Sequence, residues 1–353
     1  VGGRLDGGIV ITKHGHAQGP IGSLLIREAG HPVPDQDTFS ATEEALALTD
    51  GLTAEDTVLF LLSGGGSALF EAPLVPQEEL QSITQSLLAS GADIVEMNTI
   101  RKRLSAVKGG RFAQHCAPAK VFSIVLSDII GDPLDMIASG PAYPDSSTCA
   151  DARRIAEQYG LRLSPEASQC LERETPKVLD NVETLITGSV RELCAAASAA
   201  CRELGYEPVL LTDSLDCEAR EAGAFLAAVA RAHQDTDCSL AFLAGGETVV
   251  HLTGSGLGGR NQELALSAAA GIAGLEDTAV FSLGSDGTDG PTDAAGGFVD
   301  GGTKERLARQ GVRIFEVLKN NDAYHALAAC GGLLHTGATG TNVNDVAVLL
   351  IRR

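Results

Sequence analysis

Short apolar segments recur along the chain, and each is followed by glycine or a polar residue and then by a stretch with helical spacing. The clearest example covers residues 57–62, and residues 121–126 repeat the pattern. A strand-length apolar segment that leads into an Ala- and Leu-rich helix is typical of βαβ units. The pattern therefore predicts an α/β fold with a mainly parallel sheet.

The same pattern continues through the rest of the chain. It predicts strands at residues 185–187, 208–212, 240–243, 279–283 and 346–351, and helices at residues 192–204 and 217–233. Polar segments that contain glycine follow most of these strands directly. Because ligands of open parallel sheets bind beyond the carboxyl ends of the strands, we expect a site built from several loops.

The length of 353 residues predicts two domains, since single hydrophobic cores rarely grow beyond about 250–300 residues. The sequence turns polar around residues 234–238, and beyond that point its glycine density rises. We place the boundary there. The prediction is a larger domain over residues 1–237 and a smaller C-terminal α/β domain over residues 238–353.

Charge and composition narrow the classes of partner. The chain has 26 basic and 46 acidic residues, a net charge of −20, which repels nucleic acid and anionic membranes. Tryptophan is absent and aromatic residues make up 4%, so platforms for stacking bases are scarce. We expect a small-molecule substrate, with neither nucleic acid nor a membrane as partner; a homo-oligomer remains open.

The cysteines and the apolar segments bear on compartment. None of the eight cysteines forms a CxxC pair, which argues against a zinc site and favours free thiols in a reducing compartment. The sequence has no apolar run of about 18 residues, the length that a membrane-spanning helix needs. We therefore expect a cytoplasmic protein.

The first glycine-rich segment is Ser63, Gly64, Gly65, Gly66 and Ser67, between an expected strand and an expected helix. Backbone amides at such a helix N-terminus are suited to bind a phosphate or a carboxylate. A tight turn that needs glycine for its dihedral angles is an equally good interpretation. The segment lacks the Gly-Lys-Ser/Thr ending of a Walker A loop.

A basic segment follows at residues 98–111, with five Lys or Arg residues in an otherwise acidic chain. A charge run of this kind usually covers a solvated helix face. A protein that handles phosphates nevertheless needs cations, so Lys108 is a candidate for phosphate binding.

Asp128 follows the predicted strand at residues 121–126, within the string Ser-Asp-Ile-Ile-Gly-Asp that ends at Asp132. A carboxylate at the end of a buried strand is suited to accept a hydroxyl proton or to hold magnesium. The alternative is an Asx turn or a helix cap.

The densest glycine cluster covers residues 245–248 and 254–263 and contains two candidates, Glu247 and Arg260. A flexible loop here is suited to wrap around phosphates, with Arg260 bound to a transferring phosphoryl group. The alternative is a hairpin with flexible glycines, because a glycine pattern of this kind is weak by itself.

Two further polar segments complete the set. Residues 285–293 place three carboxylates in a short stretch, and Asp286 and Asp289 are candidates for magnesium; a plain turn is the alternative, and the stretch lacks the twelfth-position acid of an EF-hand. Residues 336–345 offer hydroxyl and amide groups, with Asn342 as a candidate for binding a polar ligand or capping the backbone.

Taken together and in this order, these segments resemble the glycerate 2-kinase family. The strings are SGGGSAL, NxxRKxLSxxKGGR, SDxxGDxxxxIASGP, GGET, GxGxGGRNQE, DGTDGxTDAAG and TGTNVND, and they span almost the whole chain. The part from about residue 239 to 345 resembles the domain named for its occurrence in hydroxypyruvate reductase-like proteins, abbreviated MOFRL.

The resemblance implies a two-domain α/β enzyme whose larger domain is Rossmann-like and whose site lies between the domains. It implies transfer of the γ-phosphoryl group of ATP to the 2-hydroxyl of D-glycerate, with Mg²⁺ as the metal. The family's catalytic aspartate would fall on Asp128 and its phosphate-facing arginine on Arg260. The other residues on family motifs are Glu247, Asp286, Asp289 and Asn342.

One departure concerns an early Gly-Lys-Ala segment, which carries a catalytic lysine in the family. Nothing ahead of Ile9 matches it, whereas residues 28–35 match the family stretch that normally follows. We therefore expect that sequence preceding residue 1 is missing from this chain.

Two other functions compete with a kinase. Proteins of this type have also been labelled hydroxypyruvate reductases, which use NAD(P)H, but the chain lacks a dinucleotide glycine fingerprint directly after its first strand. The second is a metabolite-binding protein that keeps the pockets without the lysine. Both stay open at this point as alternatives.

Overall fold

The computed structural model describes residues 4–131 and 133–353. The chain divides into two compact units, Val1–Val125 with Pro133–Thr187, and Leu126–Asp132 with Gly188–Arg353. The predicted boundary at residue 237 falls inside the second unit, between a helix and the strand that follows it. A compact unit and a sequence domain need not share their limits, so the predicted division stays a prediction.

The first unit contains two small sheets. Strands β1 (Ile9–Lys13) and β2 (Leu25–Ala29) pair in parallel. Strands β3 (Thr57–Leu62), β4 (Lys120–Leu126) and β5 (Val182–Gly188) form the other sheet in that order, with β3 parallel to β4. The predicted strands at residues 57–62, 121–126 and 185–187 are confirmed.

The helices of the first unit begin at well-formed caps. Asp35, Asp93 and Thr148 each form a capping box with the residue three positions later, which satisfies two free backbone amides at once. The helices are α1 (Gln36–Leu48), α2 (Gly66–Leu69), α3 (Gln77–Ala89), α4 (Ile94–Arg103), α5 (Arg111–Cys116), α6 (Cys149–Gln158) and α7 (Pro165–Leu171), with a 3-10 turn at Ile137–Ser139.

The second unit is built on one sheet, which we call the large sheet. Its strands are β6 (Glu207–Leu215), β7 (Leu240–Gly246), β8 (Thr278–Gly284), β9 (Gly296–Asp300), β10 (Leu333–Leu334) and β11 (Asp345–Ile351). In the described part of the chain their spatial order is β10-β9-β8-β11-β7-β6. The strands predicted at residues 208–212, 240–243, 279–283 and 346–351 are confirmed.

The large sheet is mixed, whereas β1 with β2 and β3 with β4 in the first unit pair in parallel, as the sequence predicts. Only β6 and β7 pair in parallel among its described pairs, whereas β11 is antiparallel to both β7 and β8, and β9 is antiparallel to β8. Parallel neighbours need a crossover of a dozen or more residues, usually a helix. Residues 285–295, all of them described, contain no helix, so β9 returns antiparallel beside β8.

Helices cover the large sheet and bury its apolar side chains. They are α8 (Val190–Glu203), α9 (Ala219–Ala232), α10 (Arg260–Gly271), α11 (Thr303–Arg309), α12 (Ile314–Lys319) and α13 (Ala323–Cys330). Gly223 allows α9 and α10 to approach closely. A methyl group there would lie 2.1 Å from the carbonyl oxygen of Leu264. Among the described residues, no helix combines the length and the hydrophobicity that crossing a bilayer requires.

Candidate functional site

One edge of the large sheet collects polar residues from distant parts of the sequence. Asp345, the first residue of β11, lies opposite Gly246 at the end of β7 and opposite Gly284 at the end of β8. The residues that follow β7 and β8 therefore meet those that precede β11, and we call this place the polar edge. The predicted residues located there are Glu247, Asp286 and Asn342.

Arg260 supplies a cation to the polar edge. It is the first residue of α10, and its Nε donates to Asp345 Oδ2 at 2.5 Å while Nη2 donates to Asp345 Oδ1 at 3.1 Å. Nη1 lies 2.9 Å from Glu247 Oε1. A bidentate contact between a guanidinium and a carboxylate fixes the orientation of the two groups as well as their distance. The two carboxylates thus orient Arg260, whose side chain is still 34% exposed.

Arg260 remains positively charged at the polar edge. Burial acts to lower the pKa of the guanidinium, but the hydrogen bond and negative charge of Asp345, with the charge of Glu247, outweigh burial and raise the pKa above its usual value. Arg260 therefore offers a permanent positive charge within a chain of net charge −20.

Asp289 organises the start of α10. Its Oδ1 accepts from the backbone N–H of Asn261 at 3.1 Å, and its Oδ2 accepts from that of Gln262 at 2.8 Å. A methyl group at Gly259 would lie 2.2 Å from Asp289 Cγ, so glycine is required where the carboxylate approaches. Burial raises the pKa of Asp289 to about 6, against the lowering effect of these amides. The Asp289 carboxylate is therefore a buried cap that fixes the start of α10, where Arg260 is located.

The backbone amides of the glycine-rich loop before α10 donate to residues 320–322. Asn321 Oδ1 accepts from the N–H groups of Thr253 and Gly254, at 2.7 and 3.0 Å. The N–H of Gly256 donates to the carbonyl of Asn320, and the N–H of Leu257 donates to Asp322 Oδ1. These amides are already occupied, so this part of the loop supports the structural interpretation better than a wrap around phosphates.

Asp286 and Asn342 both form short local turns. Asp286 accepts from the N–H and the hydroxyl of Thr288, each at 2.9 Å, and Asn342 Oδ1 accepts from the N–H of Asn344 at 3.3 Å. Asp286 is partly exposed and Asn342 is exposed. The turn that the sequence left as an alternative is thus present at both positions, and both side chains remain accessible.

Asp128 follows β4 within the short stretch that belongs to the second unit. The backbone N–H of its neighbour Ser127 donates to the carbonyl of Gly188 at 2.8 Å, which ties the end of β4 to the end of β5. Burial raises the pKa of the Asp128 carboxyl, so this carboxylate is a stronger base than an ordinary aspartate. Asp132, the last residue of the motif, lies outside the described residues.

In the first unit, the Ser63–Ser67 segment follows β3 and forms the predicted turn and the start of a helix. Ser63 and Gly64 are exposed, and Gly65 has φ +85°, in the left-handed region that favours glycine. The helix that follows, α2, is only four residues long. The local fold of the turn is confirmed, whereas its binding of an anion stays a prediction.

Lys108 lies beneath this turn and is fully buried. Its Nζ donates to the carbonyl oxygens of Ser67 and Phe70, at 2.9 and 3.0 Å, and lies 3.6 Å from Glu71 Oε2. Burial lowers the pKa of Lys108 to about 8, although the charge of Glu71 opposes that shift. These contacts favour a role in holding the turn over direct contact with a phosphate.

The other cations of the basic segment do not form a solvated face. Lys102 and Arg103 are completely buried and pair with Asp145, which is itself buried. Arg111 donates to the carbonyl of Ser105 at 2.5 Å. The basic segment is therefore an internal network that satisfies backbone and carboxylate oxygens, and the solvated-face interpretation is wrong.

One depression of the second unit lies away from the candidate residues. It has a volume of about 620 Å³ and is lined by residues at the start of β8 and the end of β11, such as Asp277, Thr278 and Arg352. The polar edge lies at the opposite end of the same strands. A depression in the surface therefore does not locate the site, and the assignment rests on the chemistry of the side chains.

Comparison with known proteins decides the family. Residues 2–172 match a domain of unknown function, DUF4147, and residues 240–345 match the MOFRL family. The D-glycerate 2-kinase of Thermotoga maritima is 54% identical, over 99% of this chain and 86% of that protein. The chain belongs to the glycerate 2-kinase family.

Other comparisons agree with this membership. The glycerate 2-kinase of Pyrococcus horikoshii is 38% identical, over 98% of this chain and 82% of that protein. The crystal structure of a glycerate kinase from Thermotoga maritima matches with a TM-score of 0.94, covering 98% of this chain and 85% of that one. The predicted family and the α/β fold class are confirmed.

Sequence reasoning missed two residues of this glycerate 2-kinase fold. Asp345 lies in the TGTNVND string, but nothing in that string marks it as the main partner of Arg260. Asn321, which has φ +54° and holds the glycine-rich loop, lies outside all of the candidate segments. Its only local signal is the polar run Asn320, Asn321 and Asp322 between two helical stretches.

Proposed function

We propose that this chain transfers the γ-phosphoryl group of ATP to the 2-hydroxyl of D-glycerate and releases 2-phosphoglycerate and ADP. The observation that carries the proposal is Arg260, a permanently charged and partly exposed guanidinium that Asp345 and Glu247 orient. Phosphoryl transfer is catalysed mainly by positioning and by positive charge at the transferring group. Membership of the glycerate 2-kinase family supports D-glycerate as the acceptor.

In this proposal Asp128 is the general base. The carboxylate takes the proton of the 2-hydroxyl while that oxygen forms a bond to the γ-phosphorus, and the bond from the γ-phosphorus to the bridging oxygen of ADP breaks. The pKa of Asp128, raised by burial, increases its strength as a base at neutral pH.

Arg260 offsets the negative charge on the transferring group. Of its two partners, Asp345 is nearly buried at 9% exposure, whereas the Glu247 side chain is 47% exposed. A phosphate oxygen therefore competes more easily for the nitrogen that faces Glu247, and Asp345 keeps the guanidinium in place. Glu247 and the exposed Asn342 are proposed to contact the substrate or its phosphate.

The turn from Ser63 to Ser67 is the proposed anion-binding element of the first unit. Ser63 and Gly64 are exposed, and the glycines add no side chain that covers the backbone, which suits a carboxylate or phosphate oxygen. Backbone amides bind an oxygen anion irrespective of the molecule that carries it. The turn therefore indicates the chemical class of its ligand, a carboxylate or a phosphate group.

Magnesium fits one of the two predicted carboxylates better than the other. Proteins often hold Mg²⁺ through one or two carboxylates plus the phosphates of the substrate. Asp286 is partly exposed and its carboxylate accepts from Thr288 within its own turn, whereas both oxygens of Asp289 accept from the amides of α10. We propose that Asp286 holds the ion, which supplies charge neutralisation on the phosphates, with Asp289 as a weaker candidate.

A two-part assay tests the proposed reaction. Purified chain receives ATP, Mg²⁺ and D-glycerate in one reaction, and NADH with hydroxypyruvate in the other. ADP release that depends on D-glycerate, without loss of NADH, is the expected result. NADH consumption would instead support the reductase, and binding of D-glycerate without any turnover would support a metabolite-binding protein.

A further inference from the structure

The carbonyl oxygen of Ser67 receives two cations in the first unit. Lys108 Nζ donates to it at 2.9 Å and Arg101 Nη2 donates to it at 3.1 Å. Ser67 belongs to the four-residue helix α2, and the last carbonyls of a helix have no partner within the helix. Lys108 also donates to the carbonyl of Phe70, the residue that ends α2. The Lys108 amine thus binds the carbonyl groups at both ends of the segment from Ser67 to Phe70.

A strained segment supports the same turn. Ala138 and Ser139 have φ +50° and +61°, values that non-glycine residues seldom adopt. A methyl group at Gly66 would lie 2.7 Å from Ala138 Cβ, and the buried Ser139 hydroxyl donates to Asn98 Oδ1 at 2.8 Å. Backbone strain of this kind persists only where the surroundings enforce it, and it concentrates at functional sites.

We propose that Lys108 is a positioning residue that holds the Ser63–Ser67 turn in the shape that binds an oxygen anion, without touching the anion itself. The inference rests on the proposed function of that turn and changes the role of Lys108 from a direct ligand to a support. It also identifies the ligand class, a carboxylate or phosphate group, as the one whose affinity depends on Lys108.

The protonation of Lys108 makes the support sensitive to pH. The charged groups that act on Lys108 are Glu71, whose buried carboxylate lies 3.6 Å away, and Arg101. With a pKa of about 8, the amine loses its charge and one donor above that pH, and anion affinity should fall. The pKa is lower in the folded than in the unfolded chain, so deprotonation favours the folded state between about pH 8 and 10.5, and unfolding at this group does not explain the loss.

The test compares two buried lysines. Lys108→Met removes the amine beneath the turn, and Lys102→Met removes an equally buried amine that pairs with Asp135 and Asp145 instead. Because Lys108→Met leaves Glu71 buried without its partner, the double variant with Glu71→Gln provides a second form that avoids an unpaired charge. For each protein we measure KM, kcat, the thermal midpoint, and the dissociation constants of D-glycerate and ADP by calorimetry.

In both Lys108 variants we expect the KM and the dissociation constant of either D-glycerate or ADP to rise about tenfold, with a smaller change in kcat. Lys102→Met should lose thermal stability without that rise. In addition, Glu71→Gln should move the alkaline loss of affinity to lower pH. Equal affinities in wild type and the Lys108 variants, or the same rise in Lys102→Met, would overturn the proposal.

Failure of the positioning role is distinguishable from failure of the kinase. If the wild type does not phosphorylate D-glycerate, the proposed function fails, and the calorimetric constants still report whether Lys108 supports anion binding. If the wild type is an active kinase and its anion affinities do not depend on Lys108, only the positioning role fails.

Discussion

Arg260 and Asp345 lie 85 residues apart in the sequence and share two hydrogen bonds at the end of the large sheet, at 2.5 and 3.1 Å. Asp345 reaches this place because β11 enters antiparallel between β7 and β8. Arg260 reaches it because Asp289 caps the helix that Arg260 opens. The pair therefore depends on three separate segments of the chain.

Arg260→Ala should reduce turnover far more than it reduces stability. Loss of a preorganised charge at the transferring group is expected to lower kcat by roughly 100-fold or more. Loss of a partly exposed ion pair should lower the free energy of unfolding by only ~1–2 kcal/mol. Steady-state kinetics and denaturant unfolding measure the two effects. Arg309→Ala is the control, since Arg309 is an exposed arginine that pairs with Glu305 on its own helix. Equal turnover in Arg260→Ala and wild type would remove Arg260 from the mechanism.

Asp128 should control the acid side of the pH profile. A general base must be ionised, so kcat should fall as the pH drops through a pKa that burial has raised above the ordinary aspartate value. The folded-state pKa is raised, so protonation of Asp128 favours folding, and the acid loss of activity is not unfolding at this residue. In Asp128→Asn we expect little activity at any pH. A variant that kept the wild-type profile would contradict the assignment.

Asp289 should make stability depend on pH. Its pKa is about 6 in the folded chain and about 4 when unfolded, so its contribution is fully present below pH 4 and is lost as the pH rises through 6. Asp289→Asn removes this dependence while keeping one oxygen for the α10 amides. Relative to the variant, wild type should lose on the order of 1–3 kcal/mol of unfolding free energy between pH 4 and 7. Parallel stability curves for the two proteins would show that Asp289 does not titrate in this range.

Gly259→Ala should disturb the start of α10. The added methyl group meets Asp289 Cγ at 2.2 Å and the Asp289 backbone carbon at 2.5 Å, so either the helix or the cap must shift. We expect a loss of ~1–3 kcal/mol in stability together with a fall in turnover. Gly258→Ala is the neighbouring control, because its closest contact is 3.3 Å. The interpretation fails if both variants behave alike.

Local sequence patterns are sufficient to predict most of the described strands. The strands at residues 57–62 and 240–243 were predicted from short apolar runs, because burial and strand length are encoded within a few residues. Strand direction was not, since whether a neighbour is parallel depends on how the chain returns. That β11 runs antiparallel to both β7 and β8 is shown by the strand pairing in the structure and not by the sequence of β11.

The sequence suggests candidate side chains by residue type, but it does not show which of them meet in space. Arg260, which the sequence suggests as a ligand of a phosphoryl group, lies at the start of α10, directly after the glycine-rich loop. The burial of Lys108 and Asp289 was not foreseen, because a charged side chain in sequence looks the same whether it faces solvent or caps a buried backbone. Partners such as Asp345 lie too far away in sequence for spacing to connect them with Arg260.

Phosphorus NMR of a reaction with ATP, Mg²⁺ and D-glycerate tests the central claim most directly, when wild type and Arg260→Ala are followed side by side. We predict that wild type accumulates the resonance of 2-phosphoglycerate as ATP is converted to ADP, and that Arg260→Ala forms it at roughly 1% of that rate or less. Formation of 3-phosphoglycerate, or of no phosphorylated glycerate by the folded wild type, would contradict the account.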